Sequence, residues 1–168
     1  MIELDDDTRD ALAEVFNMAL GEASAQFAEL VNEEIELAVP QVELVAKPAL
    51  VARIEADSAA PQPGIERAAL CRIGQSFHSQ RHDLQTEAVL LFPERGSLEI
   101  VRRMLGESVS ADDLSEMEQE ALSEIGNIIL NACFSAISDL LHTDFKSSMP
   151  TYHLGSVDEI LSRQRPKR

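Results

Sequence analysis

Two short frames in this chain set a carboxylate three residues before a carboxamide. The first is Glu14-Val-Phe-Asn17 and the second is Glu124-Ile-Gly-Asn127. In each, 22 residues separate the Asn from a proline, Pro40 or Pro150. On a helix this spacing puts both side chains on one face, one turn apart. A carboxamide donates to and accepts from a single water and carries no charge. A carboxylate beside it can pair with a cation. Such a pair suits the holding of a water or a partner group in a set position.

One frame alone reads as two solvated helix residues, because Glu, Asn and Pro are common. Two frames offset by 110 residues read as an internal repeat. The flanks agree at the same offset: Ala11 with Ala121, Leu12 with Leu122, Leu20 with Leu130, Leu30 with Leu140, Leu44 with Leu154. The repeated unit is a helix followed by a strand. The bland reading of the second copy is that Asn127 satisfies a buried backbone group.

The helices that carry the frames are legible from their periodicity. Helix one begins near Asp7 or Thr8, with Asp7 as cap. Its core stripe is Leu12, Phe16, Leu20, Ala23, Phe27, Leu30 and Val31. A second stripe, Glu14, Asn17, Gly21, Ser24 and Ala28, is polar at one end and small-sided. Helix two starts at Ser110 or Ser115, and Ser115 with Glu118 has capping-box spacing. Its stripe is Leu122, Ile125, Ile129, Ala132, Ala136, Ile137 and Leu140, with Glu124, Asn127 and Asn131 on another side.

Between the helices the chain is expected to be rich in strands. Around Glu33 to Leu37 the helix gives way to an extended segment, and Pro40 interrupts helical continuation with Val39, Val42 and Leu44 near it. Ala49 to Ala56 reads as a strand, and Ser58 to Gly64 as a loop. Ala69 to Phe77 and Gln85 to Phe92 read as a hairpin, ended by Pro93. Ser97 caps a short helix with Leu98, Val101 and Leu105, stopped by Gly106. After helix two the chain is extended through Pro150, Tyr152 and Leu154. Ser156 caps a last short helix, Val157 to Leu161, before the basic tail 163–168. The expected fold class is α+β, a mostly antiparallel sheet with two long pseudo-twofold-related helices on one face.

Length and composition bound the rest. The 168 residues favour one domain, and 45% apolar residues suffice for an aliphatic core. Thirty acidic and 14 basic side chains give a net charge of −16, which argues against nucleic acid or an anionic membrane as partner. Cys71 and Cys133 are too few and too far apart for a disulfide framework. The opening Met-Ile-Glu-Leu-Asp-Asp-Asp is not a signal peptide, and no apolar run approaches membrane-spanning length. A cytoplasmic protein is expected. His78 and His82 have helical metal-ligand spacing but fall at a hairpin tip, where i and i+4 do not converge. No metal and no other cofactor is expected on this chain.

The doubled frame resembles the CheC / CheX / FliY family of chemotaxis phosphatases. That family places Asp or Ser four residues before the Glu. Asp10 matches, whereas Glu120 keeps only the acid. The segment Glu120-Ala-Leu-Ser-Glu-Ile-Gly-Asn-Ile-Ile-Leu-Asn131 is similar to the family's second helix, and Met18-Ala-Leu-Gly21 matches less closely. The resemblance implies one CheC-like domain over 1–168, duplicated over about 8–45 and 113–155. It implies hydrolysis of the aspartyl phosphate on a CheY-type response regulator. The catalytic pairs carried over by position are Glu14 with Asn17 and Glu124 with Asn127.

In such a reaction the receiver supplies Mg, a Lys and the phosphoryl group, and what is missing is a water held in line. The Asn would orient that water, and the Glu would pair with the receiver's Lys. Two further readings stand beside this one. The chain is a non-catalytic binding module of the same fold, for a response regulator or a flagellar switch, or its activity is regulated by the receptor deamidase CheD. Monomer and homodimer both fit.

Overall fold

The structure, a computed structural model, describes residues 4–35, 38, 40–58, 69–79, 81–94, 100–102, 104 and 111–162. In chain order the elements are α1 (Asp6–Val31), α2 (Lys47–Ser58), β1 (Leu70–Ser79), β2 (Leu84–Pro93), α3 (Ala111–Leu141), β3 (Lys146–Ser147), β4 (Thr151–Gly155) and α4 (Val157–Ser162). The expected loop over 59–64, Ser97, Leu98, Leu105 and Gly106 of the short helix, and the tail 163–168 lie outside the described residues. Residues 100–102 of that short helix are helical, and Val101 is buried in the core.

The α+β class and the mostly antiparallel sheet are as the sequence predicts. β1 lies at the centre. It pairs with β2 along its whole length, from Leu70 opposite Pro93 to Ser79 opposite Leu84. Its other edge is shared end to end by β3, at Phe77 and His78, and by β4, from Leu70 to Gly74. Every pairing is antiparallel. Alternation along β1 puts Cys71, Ile73, Gln75, Phe77 and Ser79 on one face. Cys71 and Ile73 there meet Leu122, Ile125 and Ile129 of α3 and Ala23, Phe27 and Val31 of α1 in one aliphatic core. Phe77 stacks on Phe134 of α3, and Phe145 meets Phe134 edge-on at 5.6 Å.

The long helices end alike. Asn32 after α1 and His142 after α3 both adopt left-handed backbone, with φ of 53° and 49°. Glu33 N then donates to Ala28 O at 3.3 Å, and Thr143 N to Ser138 O at 3.0 Å. These are six-to-one bonds that satisfy a late carbonyl in each helix. All three pairs of positions, Asn32 with His142, Glu33 with Thr143 and Ala28 with Ser138, correspond at the 110-residue offset.

Four expectations are corrected. First, α1 is capped by Asp5, whose carboxylate accepts from Thr8 N at 2.7 Å, and not by Asp7. This register leaves Asp6 and Asp7 in the first turn, where the helix dipole favours them. The Thr8 bonds hold the Asp5 carboxyl below its usual range. Second, α3 runs from Ala111 through Ser115, so of the two expected starts Ser115 is not the start, and Ser110 lies outside the described residues. Glu118 is buried instead. By contrast, Ser156 and Glu159 do form a capping box at α4: Ser156 N donates to Glu159 Oε2 at 2.9 Å and Glu159 N to Ser156 Oγ at 3.4 Å.

Third, Lys47–Ser58 is a helix and not a strand. Ala49, Leu50, Ala52, Arg53 and Ala56 are good helix formers, and Pro48 falls in the first turn, where its missing N–H is no loss. The segment 40–46 is not a strand either. β2 takes one edge of β1, and β3 with β4 take the other, so β1 has no free edge to receive it. It is tied to α2 by the Glu43–Arg53 ion pair. Fourth, Met117–Leu141 is long and apolar enough to cross a membrane by length and composition. Ser123, Gly126, Asn127 and Asn131 interrupt the apolar run in the sequence, while the Ile, Leu and Ala around them keep its mean hydropathy high. In the fold its apolar side packs on α1 and the sheet. Leu30 and Leu140, placed in the core stripes, are 41% and 50% exposed in the last turns.

Cys71 is 0% exposed, and burial pushes its thiol up to about 11, against a lowering hydrogen bond from Tyr152. Only the thiolate reacts with alkylating agents. Iodoacetamide at neutral pH is therefore expected to leave Cys71 unmodified in the folded protein and to label it in urea, as read by peptide mass. Labelling at the same rate in both states would contradict this burial.

Candidate functional site

The four frame residues lie on the two long helices, which pack against each other. Glu14 and Glu124 are exposed, and Asn17 and Asn127 are half-buried. Among the described residues neither Glu forms an ion pair, in contrast to Asp6 with Arg9, Glu43 with Arg53 and Glu87 with Arg72. Each frame thus offers an unpaired carboxylate beside a partly exposed carboxamide.

The helices hold the frames differently. Gly126, between Glu124 and Asn127, lies directly on Ile73 of β1. A Cβ there would stand 2.4 Å from Ile73 Cγ2. Glycine is what lets α3 approach the sheet this closely. Phe16 occupies the matching place in the first frame. The small-sided stripe of α1 is not wholly a free surface: Ser24 is buried and its hydroxyl donates to Ile35 O.

The second frame contains a polar cluster. Asn131 Nδ2 donates to Asn127 O at 2.8 Å and to Asn127 Oδ1 at 2.7 Å. From the sheet, Gln75 Nε2 approaches Asn127 Oδ1 at 3.4 Å and donates to Ser148 O at 2.9 Å. Asn127 therefore interacts with side chains rather than with a buried backbone group. Asn17 makes no hydrogen bond among the described residues, and Gly21 stands where the second frame has Asn131.

Sequence reading missed Gln75. The available signal was a lone carboxamide at an inward position of β1, between Ile73 and Phe77. His78 lies on β1 and His82 in the turn after it. Among the described residues no three His, Cys, Asp or Glu side chains gather as a metal site.

A curated relative, the CheY-P phosphatase CheC of Bacillus subtilis (strain 168), is 26% identical over 156 residues. The match spans 91% of this chain and 69% of the relative. The chain is CheC-like. Its fold agrees with that likeness. The X-ray crystal structure of Thermotoga maritima FliY matches with a TM-score of 0.70, over 94% of this chain and 73% of that one, at 18% identity. No family model matches the CheC-like chain.

Proposed function

We propose that this chain hydrolyses the aspartyl phosphate of a CheY-type response regulator, as part of chemotaxis or another two-component pathway in the cytoplasm. The observation that carries the reading is the paired geometry: an exposed, unpaired Glu one turn from a partly exposed Asn, on each of two packed helices. It occurs in a chain similar to a CheY-P phosphatase over 91% of its length. The proposed domain is one unit, 1–168, duplicated over about 8–45 and 113–155, and the matched helix ends support it.

In the proposed reaction Glu14 or Glu124 pairs with the receiver's active-site Lys and sets the helix in register. Asn17 or Asn127 then holds a water in line with phosphorus. The water oxygen bonds to phosphorus as the phosphorus–oxygen bond to the receiver's Asp breaks. The Asp recovers its carboxylate, and the water proton leaves with the phosphate or to solvent. The chain supplies position, and the receiver supplies Mg and the Lys. This division of labour needs no cofactor on this chain.

An exposed ion pair contributes about 0–1 kcal/mol to affinity, so registry is the larger part of the Glu role. Replacing Glu14 and Glu124 together by Gln is expected to slow turnover about ten-fold or more, while complex formation weakens less than about five-fold. Stopped turnover alongside surface-plasmon affinity checks this. Loss confined to affinity would remove the registry role. Complex formation with unchanged phosphate lifetime in the wild type would instead make the chain a binding module. Capture of CheD by the tagged chain, and light scattering for monomer or dimer, test the remaining partner assignments.

A further inference from the structure

Resting on the phosphatase reading, we infer that Asn131 and Gln75 are positioning residues that fix the Asn127 carboxamide with its Nδ2 group outward, a device the first frame lacks. Two backbone carbonyls set the polarity. Asn131 Nδ2 lies 2.8 Å from Asn127 O, and a carbonyl accepts only from a donor, so this atom of Asn131 is the NH2. The same NH2 is 2.7 Å from the Asn127 side chain, which must then turn its oxygen inward. Gln75 Nε2 is fixed in the same way by Ser148 O at 2.9 Å and adds a second, longer approach to Asn127 Oδ1. What remains for a ligand is Asn127 Nδ2, which has no acceptor among the described residues. It can donate to the attacking water or to a phosphoryl oxygen.

Gln75 bears the mark of a residue kept for position. It is 2% exposed, and its Oε1 has no hydrogen-bond partner. A buried, unpaired carbonyl opposes folding, so a purely structural role would be better filled by an apolar side chain. The arrangement also gives the frame's proline a purpose. Pro150 follows Ser148 by two residues and restricts Met149 to extended backbone. The segment is pinned on β1 by Ser148 N to Ser76 O at 2.9 Å and Thr151 Oγ1 to Gly74 O at 3.0 Å. The carbonyl of Ser148 is thereby held where Gln75 needs it. The 22-residue spacing closes the chain back onto its own Asn through one buried glutamine.

The test has two arms on the full chain. In the first, side-chain amide signals are recorded by 15N NMR without any receiver. Asn127 is expected to give a dispersed NH2 pair that moves to averaged shifts in Asn131→Ala, and Asn17 an averaged pair throughout. Indistinguishable Asn127 and Asn17 signals would overturn the inference, whatever the enzyme activity.

In the second, phosphate release from a phosphorylated receiver is measured in an Asn17→Ala background. Asn131→Ala and Gln75→Met are each expected to lower kcat about ten-fold with KM within about two-fold, with Gln75→Met no less heat-stable. Unchanged kcat in both variants overturns the positioning role. If Asn127→Ala itself has no effect while the NMR result holds, the phosphatase reading fails and the geometric claim survives.

Discussion

A chain carrying both Asn17→Ala and Asn127→Ala is expected to leave a phosphorylated CheY-type receiver at its own rate of phosphate loss. The fall should be about 100-fold or more from wild type, the scale seen when one preorganised hydrogen-bonding group is removed from a reaction centre. Binding should persist, because Glu14 and Glu124 remain. Both Asn are half-buried on the helix surface, and their truncation removes little packing. Circular dichroism and melting should therefore be close to wild type. Turnover is the quantity that moves. A double variant that still accelerates phosphate release would show that the carboxamides do not orient the water.

The second large effect concerns Gly126. Its added Cβ would meet Ile73 Cγ2 at 2.4 Å, Cβ at 3.0 Å and Cδ1 at 3.1 Å. Ile73 is 0% exposed and β-branched, so it has little freedom to turn aside. Relief requires α3 to lift from β1, through a core packed at crystal-like density. Gly126→Val is expected to destabilise the fold by about 3 kcal/mol, a fall in Tm of about 6–12 °C for a chain of this size. It should also lower turnover in an Asn17→Ala background, because Asn127 is the next residue. Gly21 on α1 is the control. A Cβ there meets nothing within 4 Å, so Gly21→Ala should gain up to about 1 kcal/mol from helix propensity alone. Similar Tm changes for the two substitutions would contradict the close approach of α3 to the sheet.

The features most legible in the sequence were those with a local cause. The frames, the apolar stripes of α1 and α3, the hairpin of β1 and β2, and the Ser156 cap all follow from spacing along a short stretch. The misread parts depended on what lay elsewhere. Ala49 to Ala56 is an apolar run too short for its period to separate helix from strand. The segment 40–46 matches β4 at the 110-residue offset, yet no described strand pairs with it. Asp5, Asp6 and Asp7 are equivalent caps in composition, so sequence alone does not choose among them.

At the site the sequence named Glu14, Asn17, Glu124 and Asn127, and set Asn131 beside them by helical spacing. Gln75 could not be assigned to Asn127 without the sheet, because 52 residues separate them. The unlike support of the two frames also became visible only in three dimensions, through Gly126 on Ile73 and Asn131 on Asn127.

The most direct test is phosphate release from a phosphorylated CheY-type receiver, measured with wild type, Asn17→Ala and Asn127→Ala in parallel. The account predicts acceleration by wild type. It predicts a larger loss from Asn127→Ala, whose carboxamide is held, than from Asn17→Ala, whose carboxamide is not. Absence of acceleration by wild type across the receivers of the same organism would contradict the proposed function.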